Sequence, residues 1–298
     1  MKRRFVTLDV FTNKRFVGNP LAVVLDAEGL DTTTMQTIAR EFNHPETVFV
    51  LPPADGKHLA KLRIFTPAAE LPFAGHPTVG TAVLLGRLDG GKTGSFIVEE
   101  GVGPVTCVVE EMTADGGRAR FDLPKLPAPT EGAPDAAAAA AGLGLAPAEI
   151  GFDGIAPSAW SAGLAFNFVP VAGLEPIGRC RPQPGRFDDA FGKAGPAKAY
   201  VFCRETAEKG HDFHARMFAP AMGITEDPAT GSAAAAFGGL IVAQGKSGDG
   251  EHRIRIEQGY EMGRPSLIEL TLDVRGGKLA AAAIGGGAVV ATEGTIEA

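Results

Sequence analysis

The chain has 298 residues, with 28 Lys+Arg against 35 Asp+Glu and a formal charge of −7. That length suits two domains of ordinary size, each able to bury a core, and an acidic balance with no basic block argues against nucleic acid or an anionic membrane as partner. No apolar run approaches the ~20 residues that span a bilayer, and the widely spaced Cys107, Cys180 and Cys203 suggest neither a disulfide framework nor a metal site, which fits a reducing cytoplasm.

In chain order, the basic start Met1–Arg4 gives way to Phe5–Phe11, which alternates and carries Asp9. This reads as a first strand and not as a signal-peptide core. β-Branched and aromatic residues predict strands over 4–11, 20–25, 46–51, 61–65, 94–99, 103–110 and 117–122. Asp31 caps a helix that sets Met35, Ile38, Ala39 and Phe42 on one face. His76-Pro77 opens another through Val79, Ala82, Val83 and Leu85, its proline in a first turn where the missing N–H costs nothing. The stiff run Pro124–Thr130 marks a boundary between domains 1–125 and 126–298. Asp135–Ala141 reads as a surface helix. Further strands are predicted over 164–171, 199–203, 213–218, 253–257, 266–274 and 278–283, with a helix from Pro228 through Ala233–Ala236 toward Leu240 and Val242. Strands in succession, with one long apolar helix per half, predict an α+β fold in which a curled, mostly antiparallel sheet surrounds a central helix. A doubly wound fold would need strands alternating with helices.

The two halves resemble each other. Val48-Phe49 and Val201-Phe202, Arg63 and Arg216, and Pro67 and Pro220 all stand 153 residues apart. With a two-residue deletion the match continues as His76-Pro77-Thr78-Val79-Gly80-Thr81-Ala82 on Asp227-Pro228-Ala229-Thr230-Gly231-Ser232-Ala233, then as Glu99-Glu100-Gly101 on Glu257-Gln258-Gly259. Internal repetition on this scale predicts two similar domains related by a pseudo-twofold axis. Glu46 falls opposite Ala199 and so has no acidic counterpart.

Both repeat helices open with a titratable residue, a proline and a Gly-[Thr/Ser]-Ala step. Helix amino termini present free N–H groups and attract carboxylates, so two of them facing one inter-domain cleft would suit a small acid. Gly75 and Gly231 allow close backbone approach there, or simply build tight turns. His76 and Asp227, matched in this alignment, form a pair able to shuttle a proton, although an Asp before a helix is commonly an N-cap. Glu46, between Pro45 and a buried strand, is either a solvated rim residue or a catalytic carboxylate. His211 and His214 are spaced i,i+3 with no third ligand at hand, which argues against a metal. Ser232 lies outside any Gly-x-Ser-x-Gly elbow, which disfavours a serine hydrolase, and no glycine motif marks a nucleotide site.

Several long segments resemble the PhzF-like phenazine biosynthesis isomerases: Phe16–Val23, Met35–Glu41, Glu46–Val50, Arg63–Pro67, Glu70–Pro77, Arg216–Pro220, Glu226–Ala234, Gln258-Gly259 and Met262–Leu267. The resemblance covers nearly the whole chain and is weakest over 124–195. It implies the diaminopimelate epimerase fold, a homodimer, and a cofactor-free isomerisation of trans-2,3-dihydro-3-hydroxyanthranilate in which a glutamate moves a proton between ring carbons. By motif position that glutamate is Glu46, and His76, Asp227 and Ser232 match the other catalytic positions. Asn19, Gly75, Thr230 and Gly231 match positions that hold substrate, a small carboxylate. A cofactor-free amino-acid racemase is an alternative, but the fold's two-cysteine version is excluded, since those positions fall near Pro77 and Pro228 and no cysteine lies in either loop. A non-catalytic binder of small carboxylates is a third reading.

Overall fold

A computed structural model describes residues 1–245 and 247–298. By its internal contacts the chain forms two compact units, residues 1–124 with 284–298, and residues 125–283. In chain order the elements are β1 (Lys2–Val10), β2 (Asn19–Val24), α1 (Thr32–Phe42), β3 (Glu46–Leu51), β4 (Ala60–Phe65), β5 (Glu70–Leu71), α2 (Gly75–Leu88), β6 (Gly94–Glu100), β7 (Gly103–Met112) and β8 (Gly116–Asp122). They continue with β9 (Ala128–Thr130), α3 (Ala136–Leu143), β10 (Ser158–Ser161), β11 (Ala165–Pro170), α4 (Leu174–Arg179), α5 (Arg186–Phe191), β12 (Ala199–Cys203) and β13 (Phe213–Ala219). The chain closes with β14 (Ile224–Asp227), α6 (Gly231–Ala243), β15 (Gly250–Gln258), β16 (Ser266–Arg275) and β17 (Lys278–Glu297).

The first unit closes on itself. Its strands pair in the cycle β1, β2, β3, β4, β6, β7, β8, β17 and back to β1. Inside runs α2, buried from Gly75 through Leu84, which is why it carries no polar face. Gly80 permits the closest packing, for a Cβ there would stand 2.7 Å from Leu21 and from Val10 side-chain carbons. Outside lies α1, whose Asp31 cap accepts the Thr34 N–H at 2.7 Å. Met35 and Ala39 of α1 join Val24, Phe49 and Phe65 in a core.

In the second unit the order is β9, β10, β11, β12, β13, β15, β16. The buried helix α6 packs on β9 and β10 at one end of that order and on β16 at the other, so the sheet curls around it. Phe237 of α6 meets Phe168, Tyr200, Phe202 and Phe213 with ring centroids 4.6 to 6.0 Å apart. Each unit contains parallel pairs, β2 with β3 and β4 with β6 in the first, β11 with β12 and β13 with β15 in the second. The sheets are therefore mixed, with antiparallel pairs predominating.

Three features depart from the sequence expectations. Residues 284–298, expected with domain 126–298, belong to the first unit, because β17 runs to Glu297 and not to 283 and its residues 288–297 pair with β1. The run Pro124–Thr130, expected as a plain connection, contains strand β9 paired to β10. The helix expected from Pro228 begins at Gly231, and Asp227 ends the short strand β14 instead of capping a helix.

The repeat is also legible in side-chain bonding, and it corrects the alignment. Glu99 accepts the backbone N–H groups of Ala54 and Asp55 and lies 2.9 Å from His58 Nδ1. Glu257 does the same with Ala207, Glu208 and His211 Nδ1. Arg63 forms a two-pronged bond to Glu70, and Arg216 to Glu226. A Cβ on Gly101 would lie 2.7 Å from Pro72 Cα, and one on Gly259 would lie 2.6 Å from Pro228 O. Pro228 is thus the counterpart of Pro72, not of Pro77. The halves differ by an insertion where a two-residue deletion was expected. His76 stands opposite Ser232, each the second residue of its helix, and Asp227 stands opposite Leu71.

Candidate functional site

In the first unit the candidate residues gather where β2 and β3 begin beside the first turn of α2. Helix α1 ends at Asn43 in a left-handed conformation, φ 51°, with its N–H on Ala39 O, and His44-Pro45 then leads into β3. This delivers Glu46 as the first residue of β3, in parallel register with Leu21. The β1–β2 loop folds tightly: Gly18 has φ +73°, and a Cβ there would strike Val10 O at 2.5 Å. Asn19 consequently sits fully buried at the start of β2.

His76 occupies the second position of α2 and is 5% exposed. Its imidazole bonds the Pro20 backbone. Since Nε2 makes no hydrogen bond, the Pro20 bond belongs to Nδ1. Nε2 stands 3.3 Å from Glu46 Oε2, close but poorly aligned. Burial pushes the imidazole down to about 3, the Pro20 carbonyl opposes this weakly, and His44 adds to the fall. A carboxylate at that distance would by itself favour imidazolium, but with so little water left around the ring desolvation wins. The ring is therefore neutral at pH 7, and with Nδ1–H given to Pro20 its Nε2 presents a lone pair to Glu46. The arrangement suits passage of a proton rather than a fixed ion pair. The structure thus brings Glu46 and His76 together, with Gly75 preceding His76 on α2 and Asn19 preceding Pro20, whose backbone His76 bonds, on β2.

In the second unit Asp227, Thr230, Gly231 and Ser232 gather at the start of α6. Thr230 Oγ1 donates to Asp227 Oδ2 at 2.6 Å. Gln258 fastens the turn: its Oε1 accepts the Thr230 N–H at 3.1 Å, while its Nε2 donates to Asp227 O at 2.7 Å and to Thr230 Oγ1 at 3.1 Å. The Thr230 side chain makes no capping bond to the helix, so the first-turn N–H groups keep no intrahelical partner. Ser232, half-buried, follows directly. Gln258 is the polar residue the sequence reading did not single out. Its signals were its place 158 residues after Glu100 in the repeat and its membership of the Gln258-Gly259 family segment, neither of which gave it a role.

The other candidates have structural duties. His211 and His214 both bond Glu257, and His214 Nε2 also reaches Glu261 at 2.9 Å. Cys107, Cys180 and Cys203 are buried thiols, all pushed up by burial, the latter two to about 12, and none lies in the first turn of α2 or α6. No helix among the described residues is long and apolar enough to cross a membrane.

Comparison with known proteins identifies the lineage. The family model described as phenazine biosynthesis-like protein, PhzC-PhzF, matches residues 8–294. An uncharacterized isomerase of Mesorhizobium japonicum is 51% identical, covering 99% of this chain and 98% of that protein. The trans-2,3-dihydro-3-hydroxyanthranilate isomerase of Pseudomonas fluorescens is 33% identical, with 98% of each chain covered. Among solved structures, the Bacillus anthracis phenazine biosynthesis protein of the PhzF family superposes with a TM-score of 0.89 at 28% identity, covering 100% of both chains. The chain belongs to the PhzC-PhzF phenazine biosynthesis-like family and is an isomerase.

Proposed function

We propose that the protein is a cofactor-free isomerase that moves a proton between two carbons of a small carboxylic acid, with Glu46 as the carrier. The observation that supports this best is the placement of Glu46 Oε2 3.3 Å from Nε2 of the buried His76, whose imidazole burial favours in the neutral form. A carboxylate that takes a proton from one carbon and returns it to another becomes a carboxylic acid in between. A neutral imidazole lone pair at that distance accepts a hydrogen bond from the acid form and places no positive charge beside the carboxylate to hold it ionised. Side-chain exposure of 14% for Glu46 and 6% for His76 limits exchange of the carried proton with water.

Gly75 and His76 offer first-turn N–H groups of α2. For the second unit we propose that the first turn of α6, with the Ser232 hydroxyl, holds a carboxylate, and that Asp227, fixed through Thr230 and Gln258, orients a polar substituent. The substrate class follows the names of the Pseudomonas relatives, which makes trans-2,3-dihydro-3-hydroxyanthranilate the first compound to test. With it, Glu46→Gln is expected to lower kcat by roughly 10²–10⁴, the usual worth of a positioned acid–base group. Unchanged turnover in that variant would overturn the assignment.

A further inference from the structure

Beneath the first turn of α2 lies a carboxyl group that the reaction above does not use. Glu100, the last residue of β6, is 7% exposed, and its Oε1 lies 2.7 Å from Thr78 Oγ1. The same Thr78 oxygen lies 2.7 Å from the backbone oxygen of Ala74, the residue that precedes α2. A hydroxyl has one hydrogen, and a backbone carbonyl can only accept. Thr78 therefore donates to Ala74, and the close approach of Glu100 requires a hydrogen on the carboxyl. Its other oxygen, Oε2, is buried without a hydrogen-bond partner, a costly position for half of a carboxylate and a tolerable one for the carbonyl of an acid.

The repeat supplies an independent argument. Glu100 stands at the position of Gln258, just as Glu99 matches Glu257 and Gly101 matches Gly259. Gln258 secures the start of α6 by donating an amide hydrogen to the Thr230 hydroxyl. A carboxylic acid donating to the Thr78 hydroxyl performs the same service for α2.

We propose that Glu100 is a positioning residue which, as a neutral carboxylic acid, donates to Thr78 and thereby fixes the Ala74–Gly75–His76 turn. Its bearing on turnover rests on the isomerase reading; its protonation does not. Burial pushes the Glu100 carboxyl up to about 8. The Cys107 thiol on β7 feels Glu100 and also Asp122 at the end of β8. Neither can supply the positive charge an ionised Glu100 would need. Glu99 points to the other face of β6 and is held by His58, and His76 on α2 is neutral.

The test compares wild type with Glu100→Gln, which keeps a donor, and with Glu100→Leu, which does not. At pH 7 the wild type should show an infrared band of a protonated carboxyl that is missing from Glu100→Gln. Between pH 4.5, where the unfolded glutamate ionises, and about 8, an extra proton stays on the native state. Over that window the wild-type folding constant should therefore fall with rising pH by up to about tenfold per unit more steeply than that of Glu100→Gln. Turnover of dihydro-hydroxyanthranilate should drop about tenfold in Glu100→Leu, the worth of one misplaced hydrogen bond, and be rescued in Glu100→Gln. Identical infrared spectra with parallel pH slopes would overturn the proposal, as would equal turnover in the two variants. A wild type without turnover would overturn the proposed substrate alone, leaving the infrared and stability results to decide Glu100.

Discussion

At the scale of the residue, the proposed chemistry turns on a histidine that is almost wholly buried. The neutral state of His76 has a consequence for stability whose sign follows from the proton count. In the unfolded chain the imidazole takes a proton below its ordinary value of 6.5, while in the folded chain it does so only near 3. Between these values the unfolded state binds the extra proton, so stability falls as pH falls, by at most about 1.4 kcal/mol per unit. His76 is accordingly expected to show no titration by NMR from pH 5 to 9, and His76→Asn to lose part of the acid sensitivity of unfolding. A His76 resonance that titrates near 6.5 would contradict this. Glu46 and His76 were legible in the sequence because each stands in a long motif, and Glu46 also because the repeat leaves it unmatched. The pairing of His76 with Asp227 was misread because a shared proline anchored the alignment. Which of two prolines is the counterpart is decided by the glycine packed against it, Gly101 on Pro72 and Gly259 on Pro228, and that contact joins strands far apart in the chain.

At the scale of the element, the first turns of α2 and α6 owe their positions to tight backbone packing from the following strands. Gly259 has φ +80°, and a Cβ on it would lie 2.5 Å from Arg264 O and 2.6 Å from Pro228 O. Gly259→Ala is expected to destabilise the fold by about 1–3 kcal/mol, measured by chemical denaturation, since both the left-handed backbone and the crowded oxygens oppose a side chain. Gly29, also at positive φ but with open space around it, is the control, and its alanine variant should lose less. Both central helices were legible from their apolar runs. Their neighbours β5, β9, β10 and β14 were not, being two to four residues long, too short for any periodicity to register. The start of α6 was placed three residues early, because Pro228 imitates a first-turn proline while serving the turn after β14.

At the scale of the molecule, the first unit is a closed barrel whose last stave comes from the carboxyl end of the chain. β17 pairs with β1 from Lys2↔Glu297 to Val10↔Ala288 and also with β8. Removing residues 284–298 would expose the edges of β1 and β8 together, leaving two rows of unpaired backbone groups. The truncated chain is expected to lose cooperative unfolding of the first unit, detectable by hydrogen exchange in β1 and β8, and to aggregate. Retained protection in those strands would refute the closure. This feature was the least legible of all. The strand over 278–283 was anticipated, but its continuation through Gly285, Gly286 and Gly287 reads locally as a stop, and only pairing with the far end of the chain makes it a strand.

The most direct test of Glu46 as proton carrier is isotopic. The protein would be incubated in D₂O with trans-2,3-dihydro-3-hydroxyanthranilate and followed by NMR, with Glu46→Gln alongside. The account predicts an isomerised product from the wild type, labelled only to the extent that the sheltered proton exchanges with solvent, and neither product nor label from the variant. Product formed equally by both, or label appearing with Glu46 absent, would contradict it.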